Sequence, residues 1–367
     1  MPPIRPNPTL PEDLISEILV RVPVKSLLCL QLVCKDWLSL IKHPAFVKSQ
    51  LRHANTTQTH QALIVTNVAG SREHIALLDV NSRQFVSDCK LPFTQRESDV
   101  SIAIGSVSGI VFVYFIVNCK ASMYLWNPAT RQSKLIPPSF NICYPSGFGY
   151  DPIDDEYKVV CFRCKESYSA HVYLANRDEW RRGPDPIDFT YSYNSRRFDV
   201  CFNGFLCGPG THGMMLEFDL HKEVLICAIK LPVIIKDDED DHDIITSIIE
   251  FNKSIVVIKL WDKGCNDGQK INMWMLDDDA CLGGGGVEAS WTPMFSINVA
   301  MPAHSILGYF NNRDLLLLTD DMWISCNVDK KEADIVPLSV EMAGHHYTNI
   351  VVKYTESLVS LPGFKQN

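Results

Sequence analysis

The first spacing in this 367-residue chain that could do chemistry is Cys161-x-x-Cys164, half of a thiolate zinc site. A zinc site needs a second pair at suitable spacing, and none follows. On a strand, residues three apart also face opposite ways, so the two read as core cysteines. His345 and His346 are adjacent and diverge on a strand for the same reason. The acidic run 237–243 (DDEDDHD) lacks the glycine and terminal glutamate of a calcium loop, and reads as a solvated connection between strands. No Ser, His and carboxylate spacing singles out a nucleophile, base and orienter. There is no G-x-S-x-G elbow, phosphate loop or dinucleotide fingerprint. The expectation is no catalytic residue, no metal and no cofactor.

The informative stretch is residues 10–51, which reads as three or four short helices. Thr9 and Glu12 have capping-box spacing, with Pro11 in a first turn. Leu14, Ile15, Ile18, Leu19 and Val22 follow at helical spacing, and Pro23 stops the helix. Val24, Leu27, Leu28 and Leu30 suggest a second helix. Val33, Trp37, Leu38 and Ile41 suggest a third, ended at His43-Pro44, and Phe46, Val47 and Leu51 a last turn or two. Residues 10–51 hold 20 large apolar side chains, more than a unit of about 40 residues can bury internally. The surplus either docks a partner or packs on the rest of this chain.

The ordered strings Leu10-Pro11-Glu12-Asp13-Leu14, Glu17-Ile18-Leu19, Arg21-Val22-Pro23-Val24-Lys25-Ser26-Leu27 and Val33-Cys34-Lys35-Asp36-Trp37 resemble an F-box. That resemblance implies docking to the Skp-type adaptor of an SCF ubiquitin ligase and, through it, to cullin and RING subunits. The residues it selects as apolar anchors are Leu10, Pro11, Leu14, Ile18, Leu19, Val22, Pro23, Leu27 and Leu28, with Lys35 as a rim charge toward an acidic adaptor. Trp37 fits internal helix packing equally well.

Net charge is −9, with +3 on residues 1–52 and about −12 on the remainder. That argues against a nucleic-acid or anionic-membrane partner for the large part. The longest apolar run, 110–117, is too short to span a bilayer, and the N-terminus MPPIRPNP has no signal-peptide core. Thirteen cysteines at scattered spacing suit a reducing compartment, cytoplasmic or nuclear.

Residues 1–9 read as a disordered N-terminus and the polar stretch 52–61 as a linker. From residue 62 to 362 the texture changes to short β-rich runs with Gly, Pro, Asn and Asp between them. A weak repeat runs through it: a strand ends at Asp or Asn, a polar turn follows, and a second strand runs toward Leu-Pro or Trp. The anchors Asp79, Asn127, Asn176, Asp219, Asp277 and Asp329 have a mean spacing of 50, the period of a kelch-type propeller. The expected fold is therefore a small all-α module followed by an all-β domain, a kelch-like β-propeller of about six blades, with an open sandwich or two-domain arrangement as the alternative. Residues 349–354 would close the ring against the first blade. The kelch glycine signature is missing, and the one glycine run, 283–286, reads as an insertion.

Trp126-Asn127-Pro128-Ala129-Thr130-Arg131, Gly147-Phe148-Gly149-Tyr150-Asp151 with Glu156-Tyr157-Lys158-Val159-Val160, Met273-Trp274-Met275-Leu276 with Ser290-Trp291-Thr292, and the stretch 354–361 are similar to the plant F-box-associated domain. Within that family the chain resembles S-locus-F-box-like and F-box/kelch-repeat members. The resemblance implies a non-catalytic substrate-recognition subunit that holds an unidentified target protein on its β domain. Two other classes stay open: a propeller enzyme or small-ligand binder with a helical lid, and an F-box scaffold that does not lead to degradation.

Overall fold

The computed structural model describes residues 10–57, 61–67, 74–79, 85–88, 100–117, 120–138, 143–163, 170–184, 198–210, 213–232, 244–262, 269–284, 288–299, 303–310, 314–319, 323–327, 330, 332–336 and 350–366. Thr9, Cys164, His345, His346, Asp329 and the acidic run 237–243 lie outside them.

Four helices open the chain. Helix α1 (Glu12–Val20) has Pro11, not Thr9, at its N-cap, with φ −54° and ψ 143° and no side-chain cap. Proline needs no donor there, and Glu12 and Asp13 place negative charge in the first turn, where the helix dipole favours it. Helix α2 (Val24–Leu30) starts the same way behind Pro23. Helix α3 (Lys35–Lys42) begins after Val33 and is capped by the Cys34 sulfur, which accepts the Trp37 amide at 3.5 Å. It stops at His43, which is extended ahead of Pro44. Helix α4 (Pro44–Thr57) runs well past the turn or two expected of it. Half of the expected linker 52–61 is therefore helical: it contains no Gly or Pro, and Gln50 and Ala54 are buried along the helix.

The strands follow in chain order. They are β1 (Gln61–Asn67), β2 (His74–Asp79), β3 (Phe85–Asp88), β4 (Val100–Val107), β5 (Ile110–Val117), β6 (Lys120–Asn127) and β7 (Gln132–Leu135). Next come β8 (Cys143–Asp151), β9 (Glu156–Arg163), β10 (Ala170–Leu174), β11 (Glu179–Arg182), β12 (Val200–Phe202), β13 (Phe205–Pro209), β14 (Met214–Asp219) and β15 (Val224–Lys230). The rest are β16 (Ile245–Phe251), β17 (Ser254–Asp262), β18 (Gln269–Leu276), β19 (Trp291–Val299), β20 (Ala303–Phe310), β21 (Asp314–Thr319), β22 (Trp323–Asn327), β23 (Glu332–Val336), β24 (Ile350–Thr355) and β25 (Lys365–Gln366). A short segment of 3₁₀ turns, Asp279–Gly284, kinked at Leu282 and Gly283, interrupts the β18–β19 hairpin.

These strands make six antiparallel sheets, β24-β1-β2-β3, β25-β7-β6-β5-β4, β8 to β11, β12 to β15, β16 to β19 and β20 to β23. Their inner strands neighbour one another in a cycle: β24 touches β4, then β8, β12, β16 and β20 follow, and β20 touches β24. The expected meeting of the last β-rich run with the first blade is present as a strand pairing, β24 with β1 in the register Ile64↔Val352 and Gln61↔Thr355. The sheet order is that of six propeller blades, and β25 extends the β domain to Gln366, beyond the expected limit at 362.

The core lies between blades. One cluster, with Phe112, Leu125, Phe148 and Tyr173, fills the space between the second and third blades. Others, containing Val172 and Phe218, Val257 and Met215, and Ile258 and Leu317, join the third to fourth, fourth to fifth and fifth to sixth. Close packing sets the glycine at one inner-strand bulge: a Cβ on Gly147 would lie 2.7 Å from a Leu206 methyl of the next blade.

The expected anchors Asn127, Asn176, Asp219 and Asp277 fall at the hairpin between the third and fourth strands of their blades, and Asp79 ends the third strand of the first. Asn127 Oδ1 accepts the amides of Ala129 and Thr130, and Asp219 Oδ1 accepts those of His221 and Lys222. These side chains close the turn as a backbone carbonyl would. In the sixth blade Asn327 takes this part, accepting the Lys330 amide at 2.8 Å. The indole N–H of Trp180 donates to Pro137 O at 2.8 Å and that of Trp291 to Lys230 O at 3.0 Å, tying the third blade to the second and the fifth to the fourth.

Candidate docking surface

The apolar residues of the four helices divide into two faces. Leu19, Val24, Leu27, Ile41 and Phe46 form a buried core. Outside that core, Leu14 and Ile18, one turn apart on α1, are 46% and 54% exposed, and Leu10, just ahead of the helix, is 58% exposed. Leu32 and Val33, in the turn joining α2 to α3, are 87% and 62% exposed. These five are most of the eight exposed large hydrophobic side chains among the described residues. Solvated leucine and isoleucine side chains gathered in one small module make it the candidate docking surface.

The placement corrects the expected anchor set. Leu10, Pro11, Leu14, Ile18 and Pro23 are exposed, Val22 and Leu28 are half-buried, and Lys35 is exposed at the start of α3. Leu19 and Leu27 are interior: both point into the helical core at 3% and 0% exposure, so they hold the module together and present nothing to a partner. Trp37 is half-buried against that core. Leu32 and Val33 escaped selection because a helical reading placed Val33 on the third helix's face. The turn that precedes the Cys34 cap lifts both into solvent.

Of the two outcomes weighed for the apolar surplus, packing on the rest of the chain is present on one face. The buried face meets the β domain, since Leu358 joins the helical core and Ala129 packs against it. Lys48 on α4 pairs with Asp155 in the β8–β9 turn at 2.6 Å, both side chains more than half exposed. A solvated ion pair of that kind contributes under about 1 kcal/mol, so the apolar contact dominates the junction. The exposed strip is left over after this packing.

Elsewhere the titratable clusters have structural employment. Asp151, Asp154 and His221 bring three potential metal ligands together. The Lys158 ammonium already sits among them, 3.0 Å from Asp151, 3.4 Å from Asp154, 3.3 Å from Glu223 and 2.7 Å from Leu220 O. Burial alone would raise the Asp151 carboxyl, but the Lys158 hydrogen bond and the amides of Ile153 and Asp154 outweigh it and hold the group below its ordinary range. Cys161 is a fully buried core residue, as expected. Sequence reading missed Glu217, which is wholly buried, accepts the Gly283 amide at 2.8 Å through Oε2, and has no partner for Oε1. Burial pushes it up to about 7. The thiols of Cys207 and Cys281, influenced by its charge, are pushed up by their own burial and are unreactive there. An acid sealed from solvent beside inert thiols is a packing feature rather than a catalytic arrangement. No described helix is long and apolar enough to cross a membrane.

Comparison with known proteins agrees with this division. Residues 61–281, more than half of the chain, match the F-box associated beta propeller domain, and residues 8–49 match the F-box domain. An F-box/kelch-repeat protein of Arabidopsis thaliana is 32% identical over 58% of this chain and 63% of its own length. Another F-box protein of Arabidopsis thaliana is 27% identical over 58% of each chain. The chain spans about three-fifths of the length of the curated relatives it matches. Among solved structures, a chain of the nidogen/laminin complex superposes with a TM-score of 0.48 at 11% identity, covering 81% of this chain and 99% of that one.

Proposed function

The chain belongs to the F-box associated beta propeller family, and from that premise we propose that it is a substrate receptor of an SCF-type ubiquitin ligase. Its helical module docks a Skp-type adaptor, and its β domain holds a target protein. The observation that carries the reading is the exposure of Leu10, Leu14, Ile18, Leu32 and Val33 on a module whose core Leu358 of the β domain helps to fill.

In this reading the chain breaks and makes no bonds. It raises the effective concentration of a target lysine near the activated ubiquitin carried by the cullin and RING subunits. Leu10, Leu14 and Ile18 are the central anchors, Leu32 and Val33 extend the patch, and Pro11, Pro23 and Lys35 form its rim. The exposed apolar side chains lose water on docking, and a few central residues of such a patch carry most of the affinity.

The test is reconstitution. The full chain, adaptor, cullin and RING subunits are mixed and separated by size. The receptor is expected to elute with all three and to lose them together when Leu14→Asp/Ile18→Asp is introduced. Co-elution of the altered chain would refute the assignment of this face. Removal of the helices is a poorer test, because truncation would strip Leu358 of its partners.

A further inference from the structure

The segment that follows β24 makes contacts with both the helices and the β domain. We propose that residues 354–361 are a strap that fixes the orientation of the helical module on the β domain, with Asn127 as its lock and Leu358 as its anchor. The proposal rests on the receptor reading, in which that orientation decides where a bound target is presented.

The lock is built from one fully buried side chain used on both sides. Asn127 Nδ2 donates to Ser357 O at 3.0 Å and to Val359 O at 2.8 Å, so it grips the strap by its backbone. Its Oδ1 accepts the Ala129 amide at 3.0 Å and the Tyr354 hydroxyl at 3.2 Å. The Tyr354 oxygen in turn accepts the Ala129 amide at 3.1 Å. The second blade's turn and the ring-closing strand β24 therefore meet at one amide.

The strap lies tight on its seat. Ser357 Oγ donates to Ser108 O at 3.3 Å and accepts the Val359 amide at 3.3 Å. Gly109 beneath it is at φ +77°, and a Cβ there would fall 2.0 Å from that oxygen. Beyond the strap, Leu361 is buried in the core between the second and third blades, and β25 adds to β7. Both ends are thus fixed to the β domain. Between them Leu358 leaves that domain and is buried among Leu19, Leu27, Ile41 and Phe46 of the helices.

What this geometry assigns to Asn127 and Leu358 is positioning rather than contact with a partner. The ion pair between helices and blades, Lys48 to Asp155, is solvent-exposed and weakened by salt, so it does not fix an orientation alone.

Two variants of the full chain test this. Asn127→Asp, studied at pH 8, keeps an oxygen for the turn amides but turns a carboxylate oxygen toward two carbonyls. Leu358→Asp removes the anchor. The readout is the rotational correlation time of helix amides relative to strand amides, measured by NMR relaxation. The unaltered chain is expected to give one common value. Both variants are expected to lower the helix value several-fold while the strand value holds, and Leu358→Met to restore it. Helices that tumble with the strands in both variants would overturn the proposal. If Leu358→Asp unfolds the helices, Asn127→Asp decides alone, since it does not touch their core. In a second arm each protein is passed over an immobilised Skp-type adaptor, and capture of both variants at the unaltered level is the positioning result. Failure of the unaltered chain to be captured would overturn the receptor reading, and with it the purpose assigned to the strap, whatever the relaxation data show of the strap as a tie.

Discussion

Replacing Glu217 by glutamine should stabilise the protein at pH 8 and leave it nearly unchanged at pH 4. Glu217 is fully buried, and its carboxyl is pushed from the ordinary 4.5 up to about 7, first by burial, with the Gly283 amide working the other way. Below pH 4.5 the group is protonated in both folded and unfolded chains, and its burial carries no charge penalty. Between 4.5 and 7 the unfolded chain gives up its proton while the folded chain keeps it, so stability falls as pH rises. Above 7 the carboxylate must ionise inside the fold, and the full penalty is present. The difference between 4.5 and about 7 corresponds to about 3 kcal/mol. Glutamine can still accept the Gly283 amide and carries no charge at any of these values. Taking roughly 2 cal/mol/K of unfolding entropy per residue over the β domain, the melting temperature of Glu217→Gln should exceed that of the unaltered chain by about 5 °C at pH 8. Thermal melts from pH 4 to 8 measure this. An equal offset at every pH, or a variant less stable at pH 8, would refute the reasoning.

Three further outcomes follow from burial and backbone geometry. Lys158→Met should cost about 3 kcal/mol in urea unfolding, because it strands the fully buried Asp151 carboxylate, and Asp151→Asn added to it should recover part of the loss. Gly109→Ala should destabilise by about 1–3 kcal/mol in the same assay, since the left-handed φ of +77° and the Ser357 oxygen both oppose a side chain. Leu27→Ala should cost about 2–4 kcal/mol by opening the helical core, whereas Ile18→Ala, on the exposed strip, should stay within about 0.5 kcal/mol.

Periodicity made much of this fold legible. The mean spacing of 50 between Asp or Asn anchors fell on the outer hairpins of the second to fifth blades, and at Asn127 and Asp219 a short polar side chain closes its own turn there. The β24–β1 pairing was also legible, from a last β-rich run with no partner of its own. The helix ends were readable at Pro23 and Pro44, where proline forces the boundary. The end of α4 was not, since its polar second half is held by burial of Gln50 and Ala54 rather than by local pattern. The burial of the helical residues was half legible. Helical spacing grouped Leu14, Ile15, Ile18 and Leu19, but no local pattern separates the exposure of Ile18 from the burial of its neighbour Leu19. Which of two adjacent apolar residues faces inward depends on α4 and Leu358, the latter more than 300 residues away.

The central claim is that the exposed strip is where an adaptor binds, and calorimetric titration of a purified Skp-type adaptor into the full chain tests it most directly. The account predicts saturable one-to-one binding with a negative heat-capacity change from apolar burial. It predicts no measurable binding by Leu14→Asp/Ile18→Asp, with the melting temperature of that variant close to the unaltered value. Undiminished affinity in the doubly substituted chain, or no binding by the unaltered one, would contradict the account.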